Sequence, residues 1–150
     1  MSTLFDVTTH REIQRRLDGL RPDAPRQWGT MTPAQMMEHT ARALEMAMGR
    51  RGTGRQLLLG KLVSPFFFKK FVGPAPFPKD APTGTEFKIT EEPDFAATRR
   101  RLAGLLQEFH EQGPDACDGH AHGFFGALSG AQWGVTQFKH VDHHLRQFGQ

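Results

Sequence analysis

At 150 residues and 37% hydrophobic content, the chain is long enough for a single domain, residues 1–150, with its own core. Its formal net charge of +3 comes from basic residues that are scattered, apart from Arg99, Arg100 and Arg101, which argues against a nucleic-acid partner. The single cysteine, Cys117, excludes an intrachain disulfide and a thiolate metal cluster and fits a reducing cytoplasm.

Two stretches bear on the location of the protein. The opening MSTLFDVTTHREIQ has neither the basic nor the apolar region of a signal peptide. The most apolar stretch, LLLGKLVSPFFFKKFVG, is interrupted by Lys61, Pro65 and Lys69, so it does not read as a membrane-spanning helix. We therefore expect a cytoplasmic protein with no membrane partner.

Helix starts repeat along the chain in one chemical form, a hydroxyl residue three positions before Glu or Gln. They lie at Thr9 with Glu12, Thr32 with Gln35, and Ser129 with Gln132. Such capping boxes satisfy free backbone donors at a helix N-terminus. A fourth start is expected at Asp94, after Pro93. These signals predict helices near residues 9–20, 32–48, 94–112 and 129–148, and therefore an all-α four-helix bundle.

About 45 residues rich in glycine and proline, including GPAPFPKDAPTGT, separate the second and third predicted helices. A connection of this length allows those two helices to run parallel, which makes an up-down-down-up order possible. We expect one or two short helices within residues 55–71 and at most a short strand at residues 86–90. The cluster of Phe66, Phe67 and Phe68 fits a membrane or partner surface, or a lid packed on the core, and the lid is the favoured interpretation.

The C-terminal stretch KHVDHHLRQFG contains three histidines within five residues. On an α-helix each residue advances by about 100°, and an apolar stripe centred on Val141 then faces the core. His144 lies about 60° and His140 about 100° to one side of Val141. These two share an edge of the buried face, one turn apart. His143 falls about 160° away, on the polar side.

A third histidine, His39, lies at the boundary of the apolar face of helix 2, where it is well placed to point along the groove between helices. Together with His140 and His144 it would complete a three-histidine metal site. Three protein ligands leave a position open for water or substrate, which is the catalytic pattern for zinc-type metals. Imidazole suits Zn, Ni, Fe and Cu alike. The alternative is that the three are ordinary polar residues bordering a core.

His120 and His122, in the loop CDGHAHGFFG, form a rival metal-binding pair. A loop positions ligands less precisely than helices do. The alternative for this pair is a solvated loop near the mouth of the bundle. His10 and His110 are expected at the surface.

The segments WGTMTPAQMMEHTARAL, PFPKDAPTGT and HGFFGALSGAQWGVTQFKHVDHHLRQFG resemble the DinB-like family of uncharacterised bacterial proteins in the DinB/YfiT superfamily. The resemblance implies an up-down-down-up four-helix bundle whose metal is held by one histidine of helix 2 and two on the last helix. Carried over by position, these ligands are His39, His140 and His144. A divalent transition metal, Zn or Ni, is the implied cofactor.

The resemblance also implies a metal-dependent enzyme acting on a small molecule. Superfamily members are similar to transferases and isomerases that use a low-molecular-weight thiol such as mycothiol, bacillithiol or glutathione, and some look like hydrolases. We therefore expect a thiol-dependent transferase, with a hydrolase or a non-catalytic stress or binding protein as alternatives. Gln137 and Gln147 lie on the histidine side of helix 4 and are candidates to orient a water or a ligand. The favoured interpretations are a plain buried amide for Gln137 and an exposed polar residue for Gln147. A homodimer is expected because related bundles commonly pair.

Overall fold

The computed structural model describes residues 1–52, 67–79 and 84–150. Long α-helices dominate these ranges: α1 (Val7–Gly19), α2 (Pro33–Ala47), α3 (Phe95–Gln112) and α4 (Gly130–Gln147). Short 3-10 helices occur at Thr85–Phe87 and Pro114–Cys117, and β1 (Ala121–His122) pairs antiparallel with β2 (Gly126–Ala127). The prediction of a mainly helical domain without an extended sheet is confirmed for these ranges.

Three of the four predicted helix starts are confirmed. The Thr32 hydroxyl accepts from the backbone N–H of Gln35 at 3.2 Å, and the Gln35 side chain accepts from the backbone N–H of Thr32 at 3.0 Å. Ser129 and Gln132 form the same reciprocal pair at the start of α4. Asp94 caps α3 by accepting from the backbone N–H of its third residue at 2.7 Å. The side chains that satisfy free donors therefore fix where these helices begin.

The predicted start of α1 at Thr9 is wrong. Asp6 is the N-cap, and its carboxylate accepts from the backbone N–H of Thr9 at 2.8 Å. Asp6 is three residues upstream of Thr9, so its acceptor reaches the free donors first and Thr9 becomes an ordinary residue of the first turn. The helix begins two residues earlier than Thr9, at Val7.

The four helices share one hydrophobic core. α2 packs along α3, α1 contacts α3 and α4, and α4 contacts α2. Trp133 of α4 and Phe109 of α3 are among the largest side chains in that core. The stripe predicted on α4 is buried as expected, with Val141 and Leu145 almost inaccessible. Within the described ranges, no helix combines the length and apolar character that crossing a membrane requires.

Part of the long connection between α2 and α3 lies against α4. Residues 67–72 are helical, and the Lys139 ammonium of α4 donates to the carbonyl oxygens of Lys70, Phe71 and Gly73 at 3.2, 2.6 and 2.9 Å. The last carbonyl groups of an α-helix have no hydrogen-bond partner within the helix, and a nearby lysine can donate to them. This ammonium therefore fastens the connection to α4.

The predictions for this connection are confirmed only in part. The helix expected within residues 55–71 is present from residue 67, and residues 53–66, including Phe66, lie outside the described ranges. The ring of Phe68 packs 5.6 Å from that of Phe125, as expected for a lid packed on the core, and Phe67 is 52% exposed. At residues 86–90, where the sequence predicted at most a short strand, the structure instead has the end of a 3-10 helix, Thr85–Phe87.

Candidate metal centre

The three histidines predicted to form one site do lie together. His39 of α2 and His140 and His144 of α4 each place a ring nitrogen within 4.8 Å of the other two. The Nε2 atoms of His39 and His140 are 2.9 Å apart. Two metal–nitrogen bonds of about 2.1 Å at a tetrahedral angle separate their nitrogens by about 3.4 Å. One pair of ring nitrogens in this group is 2.9 Å apart, and all lie within 4.8 Å of one another. The separation of about 3.4 Å expected for a metal site falls between these two values.

His39 is oriented by the connection between α2 and α3. Its Nδ1 lies 3.0 Å from the carbonyl oxygen of Phe87, an acceptor, so Nδ1 carries the proton. The lone pair is then on Nε2, the atom that faces His140. Metal-binding histidines generally donate their second ring nitrogen to such an acceptor, which fixes the ring and raises its basicity.

His144 is oriented in the same way by Gln147. The Nδ1 of His144 donates to the Gln147 side-chain oxygen at 3.0 Å, and the Gln147 amide donates to the carbonyl oxygen of Trp28 at 2.8 Å. The second bond fixes which end of the amide faces His144. Gly29 leaves room for this chain, because a Cβ there would lie 2.5 Å from the Gln147 nitrogen.

The favoured interpretation of Gln147 as an exposed polar residue is therefore wrong, since only 2% of it is exposed. A signal for its role was present in the sequence. Gln147 follows His144 by three residues, a spacing that brings side chains together on a helix. Its second partner, Trp28, is distant in the sequence, so only the fold reveals the complete chain of hydrogen bonds.

Electrostatics keep the three histidines neutral at pH 7. Burial, and then repulsion from His39, lowers the pKa of His144 to about 3. Burial, followed by repulsion from His144 and His39, holds the pKa of His140 well below its ordinary value. Burial also lowers the pKa of His39. A neutral imidazole has the lone pair that a metal ion requires.

The adjacent His143 is not part of this group. Its ring lies 5.3 Å from that of Trp28 and 6.4 Å from that of Phe77, on the side of α4 where the 100° rule places it. His143 is partly exposed, whereas only 8% of His144 is. Adjacent histidines of the same chemistry thus have different surroundings.

His120 and His122, the alternative metal-binding pair, form hydrogen bonds with different backbone groups. His120 donates its Nδ1–H to the carbonyl oxygen of Ala47 at 2.8 Å. His122 lies in β1, where its Nδ1 accepts from the backbone N–H of Phe124 at 3.1 Å, and burial lowers its pKa to about 4. Neither belongs to a group of metal-binding side chains among the residues described.

The pair His10 and His110 also differs from expectation. Their rings stack at 4.3 Å, and only 5% of His10 is exposed, so the expectation that His10 lies at the surface is wrong. His10 is on the face of α1 that packs against α3. His110 of α3 donates to the carbonyl oxygen of Leu4 at 2.8 Å.

We expect Gln147→Leu to lower metal affinity by about 10- to 100-fold, which is typical when a partner of a metal-binding histidine is lost. Leucine fills similar space but cannot accept the Nδ1 proton of His144. Titration with Zn(II) against a competing chelator measures the change. Gln107→Leu, on the exposed surface of α3, is the matched control, and an equal loss in both variants would contradict the assignment.

The chain matches, over residues 4–150, a family described as "Protein of unknown function (DUF1569)". No curated protein and no solved structure matches it. The expected membership of the DinB/YfiT superfamily is therefore wrong: the match over nearly the whole chain is to a different family, and no comparison connects the chain with DinB-like proteins. The chain belongs to the DUF1569 family of proteins of unknown function.

Proposed function

We propose that His39, His140 and His144 hold a divalent transition metal, Zn or Ni, and that the protein is a metal-dependent enzyme acting on a small molecule. The observation that carries the proposal is the orientation of the rings. His39 and His144 both donate from Nδ1 to fixed oxygens, which leaves Nε2 available to a metal. Three protein ligands leave a position open, as catalytic sites do.

The nucleophile that we propose for this site is a thiol. The sequence lacks the HExxH pattern, in which a glutamate beside the metal-binding histidines serves as the base for water. Water bound to a metal in a three-histidine site has a pKa of about 7, whereas a thiol that coordinates a metal is deprotonated outright. A divalent ion in this site would therefore supply a thiolate at neutral pH.

The reaction proposed is transfer of the thiol to an electrophilic carbon. The thiol proton leaves to solvent, the sulfur–carbon bond forms, and the leaving group departs with its bonding electrons. The three neutral histidines add no negative charge, so a divalent ion held by them would keep its full charge for stabilising a thiolate.

The helix order proposed is up-down-down-up, and contacts between helices support it. Arg101 of α3 pairs with Glu38 at 2.6 Å, and Glu108, further along α3, pairs with Arg50, just beyond the end of α2. Contacts that advance in the same direction along both segments favour parallel helices. That the protein is a cytoplasmic homodimer stays a prediction.

The test uses protein purified without an affinity tag, loaded with Zn(II), beside a His140→Ala variant treated identically. N-acetylcysteamine is the thiol and chlorodinitrobenzene the electrophile. We expect thioether formation to accelerate with loaded wild type and not with the variant. Hydrolysis of nitrophenyl acetate without thiol, at a rate that the variant loses, would favour the hydrolase instead. Failure to bind metal would leave the non-catalytic binding protein.

A further inference from the structure

Gln137, a buried residue on the same helix as His140 and His144, has a side-chain atom without a hydrogen-bond partner in the part of the chain that the structure describes. Gln137 of α4 is 3% exposed, and its Oε1 has no hydrogen-bond partner among the described residues. A buried acceptor without a partner costs on the order of 1–3 kcal/mol, and such atoms are few in folded proteins. Within residues 1–52, 67–79 and 84–150, nothing supplies the hydrogen-bond donor that this atom lacks.

The placement of Gln137 connects this atom with the candidate metal centre. At about 100° per residue, Trp133, Gln137, His140 and His144 fall within a stripe of about 60° on α4. Gln137 precedes His140 by one turn, a rise of about 4.5 Å along the axis. Side chains three residues apart on a helix are neighbours. The unpaired oxygen thus belongs to the same face of α4 as two of the three histidines.

The stripe changes character on either side of Gln137. Toward the C-terminus it carries the two histidines, and toward the N-terminus it carries Trp133, whose ring lies 5.6 Å from that of His122. Along α4, Gln137 therefore lies between the two histidines and the aromatic pair of Trp133 and His122.

We propose that Gln137 Oε1 accepts a hydrogen bond from the ligand that occupies the open position of the three-histidine site. This inference rests on the proposed function and adds a specificity-determining residue to it. Oε1 is an acceptor only, so it recognises an N–H or O–H and nothing on a thiolate sulfur, an ether or an ester. The ligand class it selects is a thiol that carries an amide, amine or hydroxyl group close to the sulfur.

A matched pair of thiols tests this selectivity. N-acetylcysteamine and mercaptoethyl acetate have the same length, but the first has an amide N–H where the second has an ester oxygen. Each is titrated into Co(II)-loaded protein, and the thiolate-to-cobalt absorption band reports its binding. We expect wild type to prefer the amide by about tenfold, since the ester leaves the buried acceptor unpaired. Gln137→Leu should bind the two thiols with about equal affinity, and the Gln107→Leu surface control should retain the preference for the amide.

A second readout needs no metal. Replacing an unpaired buried acceptor by an apolar side chain of similar size removes its desolvation cost, so metal-free Gln137→Leu should melt about 2–4 °C above wild type. Gln147→Leu should melt below wild type, because Gln147 is hydrogen-bonded to both His144 and Trp28. Failure of Gln137→Leu to fold, or a loss as large as that of Gln147→Leu, would show that Gln137 is structural and overturn the proposal.

The outcomes separate this inference from the function on which it rests. No thiolate band with either thiol would contradict the proposed function and, with it, this inference. A band with both thiols at equal affinity in wild type would contradict the inference alone. A preference for the amide that survives in Gln137→Leu would also overturn it, because another residue would then supply the acceptor.

Discussion

Alanine at His39, His140 or His144 is expected to abolish stoichiometric metal binding, whereas alanine at His143 leaves it intact. Each of the first three substitutions removes one of the converging ring nitrogens. Two remaining imidazoles hold a transition metal far less tightly than three. The contrast between His143 and His144 is the sharpest part of the expectation, because these residues differ only in the direction that each one faces.

Metal content after dialysis, measured by mass spectrometry, gives the result, and circular dichroism checks that each variant keeps its helices. The folding check matters because His39 and His144 are buried, so a variant could lose metal by unfolding. Loss of metal in His143→Ala with retention in His144→Ala would mean that the assigned helix phase is wrong. Retention in all four variants would place any metal site elsewhere, with His120 and His122 the first residues to examine.

Acid is expected to destabilise the metal-free protein steeply. Burial lowers the pKa of His122 to about 4 and, with repulsion from His39, that of His144 to about 3, whereas the unfolded chain titrates near 6.5. Between these values the unfolded state binds more protons than the folded state. The free energy of unfolding therefore falls as pH decreases below about 6.5, by about 1.4 kcal/mol per pH unit for each such histidine.

His122→Phe isolates one of these contributions without changing a proposed metal ligand. Phenylalanine suits the surrounding rings of Phe71, Phe125 and Trp133 and has no proton to gain. Urea unfolding at pH 6.5 and pH 4.5 should show the variant losing about 2 kcal/mol less than wild type over this interval. Equal losses in the two proteins would mean that His122 titrates normally and is not buried as described.

The part of the fold that depends on local chemistry was predictable from the sequence. The reciprocal pairs Thr32 with Gln35 and Ser129 with Gln132 act within one turn, so their spacing alone placed the starts of α2 and α4. At α1 the same pattern was misleading, because Asp6 supplied a competing acceptor just upstream. Capping patterns therefore identify a helix more reliably than they identify its first residue.

The candidate site was predictable as far as each helix determines it. Periodicity on α4 placed His140 and His144 on one edge and His143 on another, and the boundary position of His39 pointed it into the groove. The oxygens that orient the rings were not predictable in full. The Phe87 carbonyl reaches His39 from the long connection, and Trp28 reaches Gln147 across the fold, so these contacts depend on tertiary packing.

The resemblance to DinB-like proteins shows the limit of matching short segments. The segments that suggested it combine helix-start chemistry with a histidine spacing, and both serve general physical needs. Membership of the DUF1569 family replaces it, and that family supplies no reaction. The proposed function therefore depends on the geometry of the histidines.

X-ray absorption by the zinc-loaded, untagged protein tests the central claim most directly, because it reports the atoms bound to the metal. We expect one zinc ion per chain with three imidazole nitrogens at about 2.0–2.1 Å and the oxygen of an exchangeable water in the remaining position. A first shell dominated by carboxylate oxygens, or one with fewer than three imidazoles, would contradict it.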